Sequence, residues 1–291
     1  MKDLAIIILN YNTFSDTQRQ VNTLLLEGCP AEAIYVVDNN SSDRPHLAEL
    51  NSQTGINLIL SSKNGGYAYG NNLATKKALA DGKNNFLILN PDIEISLFTI
   101  KKMYDRLITL SDVGILGCRL CYRTAKNIVF SDGGLLFPEK GYMGGHFNCN
   151  HNTQEDKNCG LNYHIDYVDG STLMFKKQVL EEIGFLNEAF FMYYEESEWC
   201  LRLLKNTNLK IAVDTCCEAY NLYSEKGAFY EYYMTRNRIW LCRLYNGNKK
   251  YVIKERLKFA RKSIKKGDFK MAKAYVSGVF SGVFTKMSKI H

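Results

Sequence analysis

The chain has little that would make it fibrous, flexible or membrane-spanning. Only 4 prolines occur in 291 residues, which argues against long disordered linkers. No apolar run approaches the ~20 residues that a spanning helix needs. The longest, such as residues 4–9, are strand-sized. Met1-Lys2-Asp3 followed by that short run also lacks the length and cleavage site of a signal peptide. The expectation is a protein that stays in the cytoplasm. No internal repeat or low-complexity tract is visible. Cysteine is not scarce, with 9 residues, but the number is odd and the residues are scattered. They do not read as a disulfide framework. Cys118-Arg119-Leu120-Cys121 is expected to be a reduced, half-buried pair, because no second pair or helix start accompanies it. His146, Cys149, His151 and Cys159 are spaced too irregularly to suggest zinc.

What is present is the composition of a packed protein. Hydrophobic residues make up 46% and charged residues 23%. A chain of this length buries roughly three quarters of its unfolded surface. The formal charge of +7 is unevenly spread. From Lys249 onward, 13 Lys and Arg stand against 2 acidic residues. Subtracting these from the totals of 37 and 30 leaves a body with 24 basic and 28 acidic residues. A mildly acidic body with a strongly basic tail points to an anionic surface as the tail's partner.

The first half alternates short apolar runs with helical patterns. Residues 4–9 contain three consecutive isoleucines and read as a strand buried on both faces. A helix is expected over 15–26, a strand over 33–37 ending at Asp38, and a short helix over 45–51. A strand over 56–60, a helix over 69–79 and a strand over 85–89 follow. This alternation implies an α/β fold with a mostly parallel central sheet flanked by helices. Residues 133–164 are rich in Gly, Asn and His and read as a mobile, loop-rich insert. Strand character returns over 167–176. Helices are expected over 179–183, 195–204 and 230–245, and the basic tail from 249 is helical. The boundary is placed so that 1–245 forms the main domain and 246–291 a basic helical extension.

Each early strand ends in a polar cluster. These are Asn10-Tyr11-Asn12, then Asp38-Asn39-Asn40-Ser41-Ser42-Asp43, then Asn64-Gly65-Gly66-Tyr67, then Asn90-Pro91-Asp92. In a parallel sheet all four lie on one rim, where ligands bind at the carboxyl ends of the strands.

These clusters, taken in order, resemble the motifs of glycosyltransferase family 2. Residues 190–202, Phe-Phe-Met-Tyr-Tyr-Glu-Glu-Ser-Glu-Trp-Cys-Leu-Arg, resemble its catalytic helix motif. Tyr232-Tyr233-Met234-Thr235-Arg236-Asn237 resembles its rhamnosyltransferase-like branch. The resemblance runs from residue 4 to about 245. It implies the GT-A (nucleotide-diphospho-sugar transferase) fold and a nucleotide-sugar donor.

The resemblance also distributes roles. Asp38 is assigned to the base, with Tyr11 packing on it and Asn10 and Asn40 beside it. Asp43 is expected to cap the following helix. Gly65 and Gly66 let the backbone approach a ligand closely, and Asn71 and Asn72 are placed at the donor sugar. Asn90 and Asp92 stand where the family has its metal motif, so Asp92 is the expected ligand of Mn²⁺ or Mg²⁺, hard cations that prefer oxygen. Glu196 is the expected general base, with Glu195 in reserve. Glu198 and Arg202, at i and i+4, suit an ion pair. Asp169 and Gly170 belong to the segment that faces the acceptor. Arg236 and Arg238 either reach the diphosphate or form a solvated helix face. The sequence departs from the family at residues 218–224, Glu-Ala-Tyr-Asn-Leu-Tyr-Ser, which lack a metal-binding His. Asn221 or water then completes the metal shell.

The expected activity is inverting transfer of a sugar to an acceptor hydroxyl on a saccharide or lipid-linked oligosaccharide. The basic tail, interleaved with Leu257, Phe259, Ile264, Phe269 and Met271, suits an anionic membrane surface. No recognition motif accompanies the charge, so nucleic acid is not an expected partner. The missing His and the Glu at position 196 leave a non-catalytic nucleotide-sugar-binding scaffold as the alternative. A nucleotidyltransferase is disfavoured because Asn10-Tyr11-Asn12-Thr13 is not a basic, Gly-rich loop.

Overall fold

Leu4–Asn10 forms strand β1, and its Ile6, Ile7 and Ile8 are fully buried, as an unbroken apolar run requires when both faces of a sheet are covered. The computed structural model describes residues 1–156, 159–222 and 226–287. Helix α1 (Phe14–Leu26) leads to β2 (Ile34–Asp38), and α2 (Arg44–Thr54) to β3 (Asn57–Leu60). Helix α3 (Gly66–Ala80) then leads to β4 (Asn85–Leu89). β2 and β4 flank β1, and β3 flanks β2, all in parallel.

Helix α4 (Leu97–Thr109) and strand β5 (Val113–Tyr122) come next and have no counterpart among the expected elements. The Ser96 hydroxyl accepts from the Thr99 amide at 3.1 Å and starts α4. Its Leu97, Ile100, Met103, Tyr104 and Leu107 form the buried face. β6 (Ala125–Ser131) folds back on β5, and β7 (Gly134–Phe137) pairs with β8 (Met143–His146) in a separate hairpin. After β9 (Leu161–Asn162), strand β10 (Thr172–Lys176) runs antiparallel between β4 and β5. Helices α5 (Lys177–Ile183) and α6 (Glu195–Asn206) precede β11 (Lys210–Asn221). Three helices follow: α7 (Ala228–Tyr245), α8 (Lys249–Lys265) and α9 (Phe269–Phe284). The nine-stranded sheet has the order β3-β2-β1-β4-β10-β5-β11-β9, with β6 on β5. β1 to β5 and β11 share one direction, apart from the opposed β10, β6 and β9.

The alternation of side chains along the strands divides the core into two layers. Ile6 and Ile8 pack with Val21 and Leu24 of α1, Leu47 of α2 and Met103 of α4. Ile7 and Val37 face the other way, into the layer of Ala74 of α3, Trp199 of α6 and Ile239 of α7. Helix α9 sits close on α7 because it offers glycines there. A Cβ on Gly278 would meet Thr235 at 2.8 Å, and one on Gly282 would meet Ile239 at 2.8 Å. Helix α8 is tied to α7 by the pairs Arg238–Glu255 and Arg256–Glu231, each 2.7 Å.

Three expectations are corrected. Residues 133–164 are not simply loop. They carry the β7–β8 hairpin and β9, anchored where Asp132 receives both Arg119 (2.7 and 2.8 Å) and Asn148 (2.9 Å). The cysteines are not all unpaired, because Cys159 and Cys216 form a disulfide across a separation of 57 residues. Hydrogen bonds between Gly160 and Thr215 draw the two segments together. Cys118 and Cys121 are free and fully buried rather than half-buried. No helix among the described residues is long and apolar enough to cross a membrane.

Candidate functional site

The carboxyl ends of β1, β2 and β4 and the loop after β3 bring the four polar clusters to one rim. Asn10 is buried. Its Oδ1 accepts from Thr17 at 2.9 Å and its Nδ2 donates to Ser41 at 3.1 Å. Asp38 is also buried. One carboxylate oxygen accepts from the Ser41 amide and hydroxyl, and the other from Arg44 Nε at 2.7 Å. Tyr11 is exposed beside them, and Asn40 is exposed in the left-handed region. Asp43 does not cap α2 with its side chain. It accepts from the Phe14 amide at 3.0 Å and so caps α1, because β1 and β2 place its carboxylate over that helix start.

The glycine pair serves the protein's own backbone. Gly66 has φ +88°, and a Cβ there would lie 2.1 Å from the Phe191 carbonyl oxygen. The Tyr67 amide donates to that same oxygen at 2.6 Å. At Gly65 a Cβ would strike the Tyr69 ring. Asn72, expected at the donor sugar, is engaged with Leu186 and Glu188. Asn71 is different. Its Nδ2 donates to the Tyr67 carbonyl, while its buried Oδ1 has no partner among the described residues.

The start of α6 forms the opposite wall. Phe191, Tyr193 and Tyr194 all have positive φ, a costly run for bulky residues. Asn237 of α7 holds it in place, donating to the carbonyls of Phe190, Met192 and Tyr193 at 3.1, 2.8 and 2.6 Å. Arg236 donates to the carbonyls of Ala189 and Phe190 and lies over the Trp240 ring at 4.2 Å. It therefore buttresses this turn, and burial lowers its pKa. Arg238 is buried and bound to Glu255, Lys140 and Gly141. Neither arginine is a solvated face, and neither of their observed partner sets is a phosphate cradle. Glu198 and Arg202 form the expected i, i+4 ion pair at 3.0 Å, buried and joined by Tyr245.

Between these walls lies a cavity of about 380 Å³ lined by Tyr67, Asn90, Asp169, Gly170, Glu195 and Glu196, with Asn221 and His146 at its edge. Glu195 is buried with one carboxylate oxygen unpartnered among the described residues. Burial, and then the Glu196 charge, push its pKa well above the ordinary value. Glu196 is pushed up to about 7, chiefly by burial, with the Asp169 charge adding to it. Tyr67 links the two sides. Its hydroxyl donates to the Gly170 carbonyl at 2.5 Å, and burial plus the charges of Glu195, Glu196 and Asp92 raise its pKa. Asp92 sits on the turn closed by the Ile93 amide on the Asn90 carbonyl, 3.2 Å. Burial raises its pKa, and no ion pair to it occurs among the described residues.

A second cavity of about 420 Å³ begins where the first ends. His146, Asp169, Tyr193 and Glu196 line both. It adds Tyr230 and Glu231 of α7 and Arg256 of α8. Asp169 accepts from Ser131 at 2.5 Å and stands 3.6 Å from His146 Nδ1. Ser131, Tyr230, Glu231 and Arg256 had no motif to announce them, and Asn237 stood in the family-like motif of α7 without an assigned role. The loose His and Cys cluster is dispersed: His146 is at Ser131, His151 bonds Asp156, and Cys159 is in the disulfide. Among the described residues no group of three or more His, Cys, Asp and Glu is arranged to hold a metal. Of the segment lacking the family's His, Tyr223 and Ser224 lie outside the described residues. A larger cavity of about 590 Å³ opens near Met1 and Leu4, at the other end of β1 from the polar clusters.

Comparison with known proteins bears on this arrangement. Residues 5–184 match the family described as Glycosyl transferase family 2, a span that ends before Glu195. A low-salt glycan biosynthesis hexosyltransferase of Haloferax volcanii is 33% identical over 69% of this chain and 62% of its own length. A dTDP-rhamnosyl transferase of Shigella flexneri is 24% identical over 66% of this chain and 61% of its own. The chain thus spans less than two thirds of the length of these relatives. Among solved structures, GalNAc-T7 with UDP, GalNAc and Mn²⁺ superposes with a TM-score of 0.58 at 14% identity, over 77% of this chain and 44% of that one. A mannosyltransferase of Pyrobaculum calidifontis in complex with GDP-Man and Mn²⁺ gives 0.56 at 11%, over 97% and 87%. These likenesses establish the GT-A fold. With that fold, and with the family match running from β1 to the end of α5, the chain belongs to glycosyl transferase family 2.

Proposed function

We propose that the protein is an inverting glycosyltransferase that moves a hexose or deoxyhexose from a nucleoside-diphosphate donor to a hydroxyl of a saccharide or lipid-linked acceptor. The observation that carries this reading is the position of Glu196, on the wall common to two cavities and with a pKa of about 7. The first cavity then receives the donor sugar and the second the acceptor. Glu196 takes the proton of the acceptor hydroxyl as its oxygen bonds to the anomeric carbon and the bond to the diphosphate breaks. Attack by the acceptor oxygen on the face opposite the diphosphate is a single displacement and inverts the anomeric carbon. Glu195 is the reserve base.

The other residues follow from this arrangement. Asn10, Tyr11, Asp38 and Asn40 border the nucleoside. Asn71, with its unpartnered Oδ1, and Asn90 border the sugar and phosphates. Asp169 and Gly170 border the acceptor. The donor set of Asp92 fits a divalent cation, Mg²⁺ or Mn²⁺, because this desolvated carboxylate forms no ion pair among the described residues, with only the more distant charges of Arg123 and Arg19 acting on it. Asp92 would hold it together with Asn221 or water and the donor's phosphate oxygens, since such cations need few protein carboxylates. When bound, the ion neutralises charge on the departing diphosphate. The organisation proposed is a transferase body over 1–245 and a basic tail over 246–291. The setting proposed is the cytoplasmic face of a membrane, in assembly of a surface polysaccharide or lipid-linked oligosaccharide.

The test is donor hydrolysis and binding with UDP-, dTDP- and GDP-sugars in Mn²⁺, Mg²⁺ or EDTA. Release of a nucleoside diphosphate from one donor, abolished by EDTA and by Asp92→Ala, is expected. Binding without release would favour a non-catalytic scaffold, and no binding to any donor would overturn the reading.

A further inference from the structure

We infer that helix α9 docks the protein on the interface of a bilayer containing anionic lipid, through an aromatic stripe on the side turned away from α7. Phe269, Val276, Phe280 and Phe284 are 68%, 48%, 62% and 69% exposed. Their spacing of i, i+7, i+11 and i+15 puts them on one arc of the helix, and Lys273 at i+4 lies within it. The rings of Phe280 and Phe284 lie 4.9 Å apart, so that end of the stripe is already a continuous apolar surface. The opposite arc is taken by Gly278 and Gly282 against α7. Single exposed apolar residues need no explanation, but a contiguous row does.

Charge identifies the occupant. Lys270 and Lys273 of α9 are exposed, as are Lys254, Lys258, Arg261, Lys262 and Lys265 of the adjoining α8. The tail's two acidic residues are already neutralised or engaged. Glu255 pairs with Arg238 and Arg256, and Asp268 accepts from the Met271 amide at the start of α9. A second copy of this chain would bring the same positive field against the stripe. An anionic lipid interface supplies apolar depth for the phenylalanines and negative headgroups for the lysines. The docked face is one helix away from the second cavity. Tyr232 of α7 donates to Ser281 of α9 at 3.1 Å, and the neighbouring Glu231 lines that cavity. The inference goes beyond the catalytic reading and does not depend on it.

The experiment is co-sedimentation of the full chain with vesicles of phosphatidylcholine alone or with about a third phosphatidylglycerol, with sedimentation velocity of the protein without lipid. Binding to the anionic vesicles and not to the neutral ones is expected. The exposed pair Phe280→Ser with Phe284→Ser should weaken binding about tenfold or more, and Lys270→Gln with Lys273→Gln by a smaller factor, with far-ultraviolet dichroism unchanged. Failure of the unaltered chain to bind anionic vesicles overturns the inference. So does undiminished binding by the Phe280→Ser, Phe284→Ser chain, or a lipid-free dimer that this double substitution dissociates.

Discussion

Glu196 permits the sharpest test. An ordinary glutamate titrates near 4.5, and burial with the Asp169 charge beside it moves Glu196 up to about 7. A base must be ionised to act. With a midpoint of about 7, roughly 10% of the enzyme is competent at pH 6 and roughly 90% at pH 8. Release of nucleoside diphosphate from a saturating donor should therefore rise nearly tenfold over that interval. An unperturbed carboxylate would already be ionised at pH 6 and would give a flat profile. Asp169→Asn removes a negative charge, so the midpoint should fall and relative activity at pH 6 should recover. Glu196→Gln should lower the rate by about 10²–10⁴-fold, the range for a lost general base, and abolish the pH dependence.

Stability should move the other way. The folded state holds the Glu196 proton more tightly than the unfolded chain does. This contribution is complete below the ordinary carboxylate pKa and is lost as pH rises through about 7. Glu94 and Asp156, whose pKa values are lowered by Lys126 and by Arg119 respectively, stay ionised across this window and add no slope. The melting temperature should therefore fall from pH 6 to pH 8 while activity climbs, and Glu196→Gln should flatten part of that fall. A flat activity profile, or a rise that survives Glu196→Gln but not Glu195→Gln, refutes the assignment.

Gly66→Ala combines a positive φ with a clash on the Phe191 carbonyl. It should cost about 3 kcal/mol, or roughly 5–10 °C in a thermal melt for a chain of this size. Arg238→Met leaves Glu255 with only the longer pair to Arg256, at 3.4 Å, and removes the donors to the Gly141 and Lys140 carbonyls. A loss of about 3–5 kcal/mol is expected in urea titration, partly recovered by adding Glu255→Gln. Non-reducing peptide mapping should find Cys159 linked to Cys216, and Cys159→Ser should lower stability by about 2–4 kcal/mol. Unlinked peptides would restore the reduced state usual in the cytoplasm.

The parts of the fold that were legible are those written in local patterns. β1, β2 and β4 are unbroken apolar runs, and their burial on both faces is the physical content of that signal. β5 hides because Gly114, Gly117 and Arg119 interrupt its run. The glycines make room for Val179 and Val168, and Arg119 is buried only because Asp132 and Asp156 meet it. The stripe and cap of α4 are local patterns too, yet that helix was not among the expected elements. In the site, the strand-end clusters stand on one rim as their order implies. What each side chain touches depends on contacts over more than a hundred residues, such as Asn72 with Leu186 and Tyr67 with Gly170. No spacing rule reaches that far, so the contacts that Asn72 makes with Leu186 and Glu188, and the close approach of Gly66 to the Phe191 carbonyl, are not legible in the sequence.

The same long-range contacts change the physical meaning of the tail. The turn that presents Glu195 and Glu196 is held in left-handed conformations by Asn237 and Arg236. Both belong to α7, which packs against α8, through Arg238–Glu255, and against α9, through the two glycines. A strained run of Phe191, Tyr193 and Tyr194 persists only where its surroundings over-determine it. The surroundings here are a helix that would lose two of its neighbours without residues 249–284. On this geometry the basic tail is part of the support of the turn that presents Glu195 and Glu196, and the α7 side chains that line the second cavity stand on a helix packed against α9. The turn that bears Glu195 and Glu196 and part of the lining of the second cavity then share one element, α7, which in turn packs on α9.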